Sequence, residues 1–317
     1  MYDVVALGEL LVDFTCVSSD GDGYPTLAAH PGGAPANYLA ALSKLGAKTA
    51  LMGKVGDDTF GHLLRKTLEK CGICTDGLEM DGSVFTTLAF VTLDGRGERE
   101  FAFARKPGAD TCLRQEELML HLIDEAKVFH FGSLSLTDEP VRTATQKAVS
   151  YAKEQGKLLS FDPNLRRPLW RGLDEARQQM LWGLSQADVV KISDDEVDFL
   201  LGLDAEEGAK QIVERFGAKL VFVTCGAEGC VYCNANTCGK AAAPDNICAV
   251  DTTGAGDIFG GSAMWQLLEI KKAPQELTAQ ELEQVARFAC TAASLSTTRY
   301  GGIGAAPSYE EIVAALA

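Results

Sequence analysis

Apolar residues are arranged along this chain in two alternating rhythms. The short runs DVVALGEL, KTALMGKVG, KVFHFGSL, KLLSFDPN, DVVKIS, KLVFVTCG and CVYCN lack the in–out alternation of a half-wetted sheet. They read as strands covered on both faces. Between them lie PANYLAALSKLG, TFGHLLRKTLEKCG, PVRTATQKAVSYAKEQG, LDEARQQMLWGLSQ, AEEGAKQIVERFG and QELEQVARFACTAASLS, whose patterns are helical. Pro35 sits in the first turn of its helix, and Gly46 and Gly72 act as stop signals. Strands alternating with helices predict parallel βαβ units. The expected architecture is one α/β domain over residues 1–317, with a central, mostly parallel sheet flanked by helices. Ligands of such folds bind beyond the carboxyl ends of the strands.

Two segments break the rhythm. Residues 14–34 contain Gly, Asp and Pro without a helical period, and residues 84–104 place two β-rich runs around the turn signal DGRG. A hairpin has no place in a parallel sheet, so these segments are expected to form a small separate β-sheet, a lid or an interface. A small sheet with open edges and a free face predicts pairing with a second copy, hence a homodimer.

Composition narrows the partners. Asp and Glu number 44 against 29 Lys and Arg, a net charge of -15. No long Lys/Arg cluster is present, which argues against a general nucleic-acid or anionic-membrane binder. The opening MYDVVALGELLVDF has no basic n-region or cleavage-site pattern, and no apolar stretch reaches the roughly 20 residues that cross a bilayer. A soluble, cytoplasmic protein is expected. Ten cysteines are scattered through the chain. Cys225, Cys230 and Cys233, followed by Cys238, match one iron–sulfur spacing. On a strand, however, Cys230 and Cys233 point to opposite faces and cannot chelate together. Cys71 and Cys74 form another CxxC at a helix end. Buried or free thiols are expected throughout, in keeping with a reducing compartment.

The stretch DTTGAGDIFGG, residues 251–261, carries the chemistry. NICAVDTT before it reads as a short strand and IFGGSAMWQLL after it as a helix. A glycine turn between the two leaves helical N–H groups facing an anion, with roughly half a positive charge from the helix dipole. Gly254, Gly256 and Gly260 come close to a dinucleotide fingerprint, but the motif lies late in the chain and no acid-ended strand follows. Asp257 on the first turn could be a simple helix cap. An Asp inside a phosphate cradle could also accept the proton of a hydroxyl attacking phosphorus, while the amides stabilise the transferring group.

DTTGAGDIFGG resembles the second signature of the ribokinase-like (PfkB) sugar kinases, PGGAPANYLAALSKLG the first, and GKVGDDTFG the segment after it. The resemblance runs from GELLVD to TRYGGIGAAPS. DPNLRRPLW, KPGAD and KISDDEVDFL look most like fructokinases. It implies a ribokinase-like fold with a β lid, and ATP, magnesium and a monovalent cation such as potassium as cofactors. Asp257 would be the catalytic base, and Gly254, Ala255 and Gly256 the anion hole. Asp13, Gly32, Gly33 and Asn37 would hold sugar hydroxyls, with Arg105 and Arg166 near the sugar and the incoming phosphate. Lys191, Thr224, Gly226 and Gly229 match the nucleotide side. Glu196 matches the Glu of the family's N-x-x-E motif, which orders magnesium through water, although Ser193 stands where that motif has Asn. Asp251 and Thr253, with Ser296, Arg299 and Gly301, match the monovalent-cation site. The expected reaction is transfer of the γ-phosphoryl of ATP to a primary hydroxyl, fructose to fructose 6-phosphate. A 2-keto-3-deoxygluconate kinase, a ribokinase or nucleoside-type kinase, and a catalytically inactive sugar sensor remain open beside it.

Overall fold

The computed structural model describes residues 1–93 and 99–316. Its main sheet runs through β1 (Tyr2–Leu7), β4 (Thr49–Gly56), β5 (Ile73–Cys74), β6 (Leu78–Asp81), β9 (Ala126–Gly132), β10 (Leu158–Asp162), β11 (Val189–Ser193), β12 (Leu220–Thr224), β13 (Cys230–Asn234) and β14 (Cys238–Ala241). The order is β14-β13-β12-β11-β10-β9-β1-β4-β5, with β6 also paired to β4. All pairings are parallel except those of β13 with β12 and β14. The second sheet holds β2 (Leu11–Ser19), β3 (Pro25–Gly32), β7 (Leu88–Leu93) and β8 (Arg99–Ala104) in the order β3-β2-β7-β8. Helices α1 (Ala34–Lys44), α2 (Thr59–Lys70), α3 (Leu120–Asp124), α4 (Val141–Glu154), α5 (Leu173–Gln186), α6 (Asp194–Leu201), α7 (Ala205–Phe216), α8 (Ala255–Ile270), α9 (Ala279–Ser296) and α10 (Tyr309–Leu316) complete the molecule.

Burial on both faces explains the continuous apolar runs. Along β1, Val4 and Ala6 enter one core cluster while Val5 and Leu7 enter another across the sheet. The same alternation places Cys230 in the first cluster and Cys233 in the second, as expected of a strand. Among the described residues no group of three or more His, Cys, Asp or Glu could hold a metal ion, and none of the described helices is long and apolar enough to cross a membrane.

Three expectations need correction. DVVALGEL is not one strand: β1 ends at Leu7, the chain turns at 8–10, and β2 begins at Leu11. The small sheet therefore starts earlier than residue 14, because Leu11 and Val12 are buried against the body before the strand emerges. NICAVDTT is not a strand. Its end is fixed from outside, since the Val250 and Asp251 amides both donate to the Thr297 carbonyl at the end of α9. Cys233 and Cys238 are not free thiols but a disulfide between directly opposed residues of β13 and β14. The expected hairpin of 84–104 is present as the antiparallel β7–β8 pair, while its DGRG turn lies outside the described residues.

The small sheet is tied to the body at two points. Phe14 and Phe90 stack at 5.4 Å across β2 and β7, and Phe60 of α2 meets Phe14 edge-on at 5.6 Å. Asp58 caps α2 by accepting from the Phe60 and Gly61 amides, and accepts from the Thr86 amide and hydroxyl just before β7. Burial pushes its pKa up, but these hydrogen bonds outweigh it and the net shift is downward. Asp58→Ala should lower unfolding stability by about 1–2 kcal/mol at neutral pH. Because the folded pKa is depressed, the deficit is full above the ordinary carboxylate range and shrinks as pH falls through the folded value. Urea melts of variant and wild type that coincide at neutral pH would refute the brace.

Candidate active site

The carboxyl ends of β10, β11 and β12 and the start of α8 surround a cleft of about 510 Å³. Gly254, Ala255, Gly256, Asp257, Arg166, Lys191, Glu196, Thr224, Gly226 and Gly229 all line it. Ten of the residues singled out in the sequence are thus brought together from distant segments. In the turn itself, the Ala255 amide is engaged by the Thr252 carbonyl at 3.3 Å.

Asp257, half-buried on the first turn of α8, accepts a 2.8 Å hydrogen bond from Asn37 Nδ2. Asn37 is buried on α1, and its Oδ1 makes no hydrogen bond. An amide in that position can accept a hydrogen bond from a hydroxyl through Oδ1 while its Nδ2 holds the carboxylate. Burial raises the Asp257 pKa; Lys191, the Asn37 bond and Arg166 pull it back, and Glu196 adds to the rise. Asp13 on β2 belongs to the same field: burial pushes its pKa up to about 6, Arg166 lowers it, and Asp257 and Asp251 raise it. Gly32 lies against the Asp13 carboxylate. Gly33 has φ +119, and a β-carbon there would lie 2.4 Å from the Glu9 carbonyl oxygen. Only glycine fits this start of α1. Gly33 offers no side-chain cap, and buried Glu9 supplies one by accepting from the Ala34 amide at 2.8 Å.

On the opposite side, Lys191 in the middle of β11 reaches Asp162 at the end of β10, with Nζ 3.0 and 3.2 Å from the two carboxylate oxygens. Ser193 caps α6, and Glu196 completes a capping box by accepting from the Ser193 amide. The other Glu196 oxygen accepts from the Leu165 amide at 2.6 Å. The Ser hydroxyl thus performs a capping function open to Asn as well. Thr224 ends β12 with its hydroxyl 3.4 Å from the Ile192 carbonyl.

The remaining candidates divide. Asp251 is buried and accepts from the Thr253 amide and hydroxyl through one oxygen and from the Gly301 amide through the other. Asp251, Thr253 and Gly301 therefore form one loop cluster. Ser296 returns its hydroxyl to the Ala293 carbonyl, and Arg299 pairs with Glu311, so neither side chain joins that cluster through these bonds. Arg105, expected near the sugar, does not line the Asp257 cleft. It is buried at the end of β8, its guanidinium engaged by Asp110, Thr137 and the Leu134 carbonyl. It borders a different cleft, of about 540 Å³, shared with Lys106 and Trp170. Arg166 lines the Asp257 cleft as expected.

Sequence reading passed over Asp162 and Glu9. Asp162 lies in the quoted DPNLR, at a strand end, where a ligand-facing or ligand-positioning residue is expected. Glu9 had no local signal, because its partner amide is 25 residues away. Since the Asn37 bond favours the charged form of Asp257, Asn37→Ala should raise the Asp257 pKa further. Carboxyl-carbon NMR titration of the folded variant reads this directly, and an unmoved or lowered value would contradict the assignment.

Comparisons with known proteins identify the family and the fold. The model of the pfkB family carbohydrate kinases matches residues 1–308. "Probable fructokinase-2" of Arabidopsis thaliana is 44% identical over 311 residues, covering 96% of this chain and 93% of the relative. "Fructokinase-2" of Solanum habrochaites is 43% identical over 319 residues, 99% of this chain and 95% of the relative. The structure of a fructokinase with bound ATP from Xylella fastidiosa superposes with a TM-score of 0.91 at 30% identity, covering 100% of this chain and 98% of that one. The fructokinase of Vibrio cholerae O395 in its fructose, ADP and calcium ion bound form gives 0.87 at 31%, covering 100% and 99%. The α/β body with its separate small sheet is the ribokinase-like fold, and the chain belongs to the pfkB family of carbohydrate kinases.

Proposed function

We propose that this chain transfers the γ-phosphoryl group of ATP to a primary hydroxyl of fructose, giving fructose 6-phosphate and ADP. The observation that carries this reading is Asp257 itself, a carboxylate on the first turn of α8, held by Asn37 on one side and facing the Lys191 and Arg166 side of the cleft on the other. The curated relatives named above are fructokinases, and one related structure holds fructose and ADP.

In this reading Asp257 accepts the proton of the acceptor hydroxyl as its oxygen bonds to phosphorus and the bond to the ADP oxygen breaks. The Gly254–Gly256 turn and Lys191 face the charge on the transferring group. Asp13, Gly32, Gly33 and Asn37 hold sugar hydroxyls, and Arg166 orients the sugar and incoming phosphate. Thr224, Gly226 and Gly229 line the nucleotide side. Asp194, Asp195 and Glu196 line the same cleft without forming a metal-holding cluster, so magnesium, which would neutralise phosphate charge when bound, would be held by the nucleotide phosphates and reach these carboxylates through water. Both Glu196 oxygens already accept backbone amides, so its part is through water, as the resemblance implies. The Asp251, Thr253 and Gly301 cluster suits a monovalent cation such as potassium, joined by backbone carbonyls of the 296–301 region. The small sheet serves as the lid over the sugar, and its exposed Val17 and Tyr24 fit pairing with a second copy in a homodimer.

Fructose should give the highest kcat/KM in a panel with 2-keto-3-deoxygluconate, ribose and adenosine. If the keto acid is preferred, the acceptor assignment is wrong, and ATP-independent binding without turnover favours a sensor. Arg166→Ala should lower kcat/KM for fructose by more than the roughly 0–1 kcal/mol of a surface ion pair. An unaffected variant would remove Arg166 from the sugar site.

A further inference from the structure

Asp162 is the last residue of β10, and Lys191 is the middle residue of the adjacent parallel strand β11. Their registers pair Phe161 with Val190, which sets the two side chains next to each other. Both are largely enclosed, with side chains 6% and 14% exposed. Replacing a buried ion pair with apolar residues is often neutral or stabilising, so such a pair is weak evidence of a role in folding. Its location is more telling. A β-carbon on Gly256 would stand 2.8 Å from Lys191 Nζ and 3.2 Å from Cε, so the ammonium lies directly beneath the first turn of α8. A cation under the positive end of a helix is unfavourable alone and becomes favourable when an anion sits against both.

The floor beneath this pair is fixed. Two residues before Asp162, Ser160 Oγ lies 3.0 Å from His130 Nδ1 and 3.4 Å from the Tyr38 hydroxyl. The His130 and Tyr38 rings stack with centroids 3.8 Å apart. Burial, and next the Lys191 charge, push the His130 pKa down to about 3, so the ring is neutral and offers Lys191 no counter-charge. The charged groups that do face the ammonium are Asp162 from β10, Glu196 from α6 and Asp257 from α8. Arg166 acts on Asp257 from the loop after β10, and Asp13 faces the same carboxylate from the small sheet. Without Asp162, the nearest destinations for the ammonium are Glu196 and Asp257, and pairing with Asp257 would occupy the group that must take the hydroxyl proton.

Resting on the phosphotransfer reading above, we infer that Asp162 is a positioning residue. Its carboxylate anchors the Lys191 ammonium beneath the Gly254–Gly256 turn and away from Asp257. The ammonium then serves the transferring phosphoryl group while the base stays free for the acceptor hydroxyl. Asp162 itself touches neither substrate.

The test is a double-mutant cycle with Asp162→Asn, Lys191→Met and the double variant. It measures kcat, both KM values and the pH dependence of kcat/KM, with the folded state checked by circular dichroism. Losing one donor to the transferring group should lower kcat of the Lys191 variant about 10²–10³-fold. A residue that orients such a donor should cost up to about 10²-fold, with the KM for fructose little changed. The double variant should be no slower than Lys191→Met alone, because Asp162 acts only through Lys191. In Asp162→Asn the acid limb should move to lower pH, since loss of a negative charge and a freed ammonium both favour the charged form of Asp257. A kcat equal to wild type for Asp162→Asn, an unmoved acid limb, or losses that multiply in the double variant would each overturn the inference. If the single Asp162 variant does not fold, the double variant decides, since it removes both members of the Asp162–Lys191 pair together: parity with Lys191→Met supports the inference and a further tenfold loss refutes it. A wild-type chain that phosphorylates no sugar would overturn the phosphotransfer reading, and that result is read before any variant is compared.

Discussion

A half-buried carboxylate at the positive end of a helix is the constraint around which the proposed site is built. In the proposed reaction Asp257 and the phosphoryl group repel each other, yet both would sit at the start of α8. The structure resolves the conflict by surrounding the carboxylate with groups that each settle part of it. Asn37 reaches across 220 residues of sequence to hold one oxygen at 2.8 Å. Lys191 and Arg166 lower its proton affinity while burial raises it. The remaining positive potential, from the helix end and the ammonium under Gly256, faces the cleft.

This arrangement makes the fold a consequence of the site as much as its support. Asn37 can meet Asp257 only if α1 starts beside α8, and α1 starts there because Gly33 allows the chain to pass within contact of the Glu9 backbone. Glu9 then caps α1, with its pKa raised by burial to about 7. Asp162 at the end of β10 and Lys191 on the adjacent strand β11 approach the same point. Elements far apart in sequence therefore converge on a few ångströms of space. The small sheet adds Asp13 from above, and the Asp58 brace fixes the route by which the chain enters it.

Much of this was legible in the sequence because it depends on local pattern. Fully buried strands read as continuous apolar runs, and α1 and α2 stop just before Gly46 and Gly72 as marked. The glycine turn that starts α8 and the acid in its first turn were recognisable from DTTGAGD alone. What stayed hidden depends on distant partners. NICAVDTT has strand-like residues, but the Thr297 carbonyl takes the amides of Val250 and Asp251 and leaves it a loop. Arg105 carries the residue type of a sugar ligand, yet Asp110 and Thr137 enclose its guanidinium. Cys233 and Cys238 look like members of a thiol cluster until the register of β13 on β14 sets them opposite each other. Asp162 had a suggestive position, but its significance appears only when Lys191 is seen under Gly256.

The account is tested most directly by Asp257→Asn, compared with wild type in kcat and in calorimetric binding of fructose and an ATP analogue. Gly254 is the N-cap of α8 and no side chain caps it, so the structural role of Asp257 is its shape and the hydrogen bond it accepts from Asn37; asparagine nearly keeps both, and a structural role alone would leave activity close to normal. With Asp257 as the base, the variant folds, binds both substrates and loses about 10²–10⁴-fold in kcat. A folded variant that keeps more than about a tenth of the wild-type kcat contradicts the account.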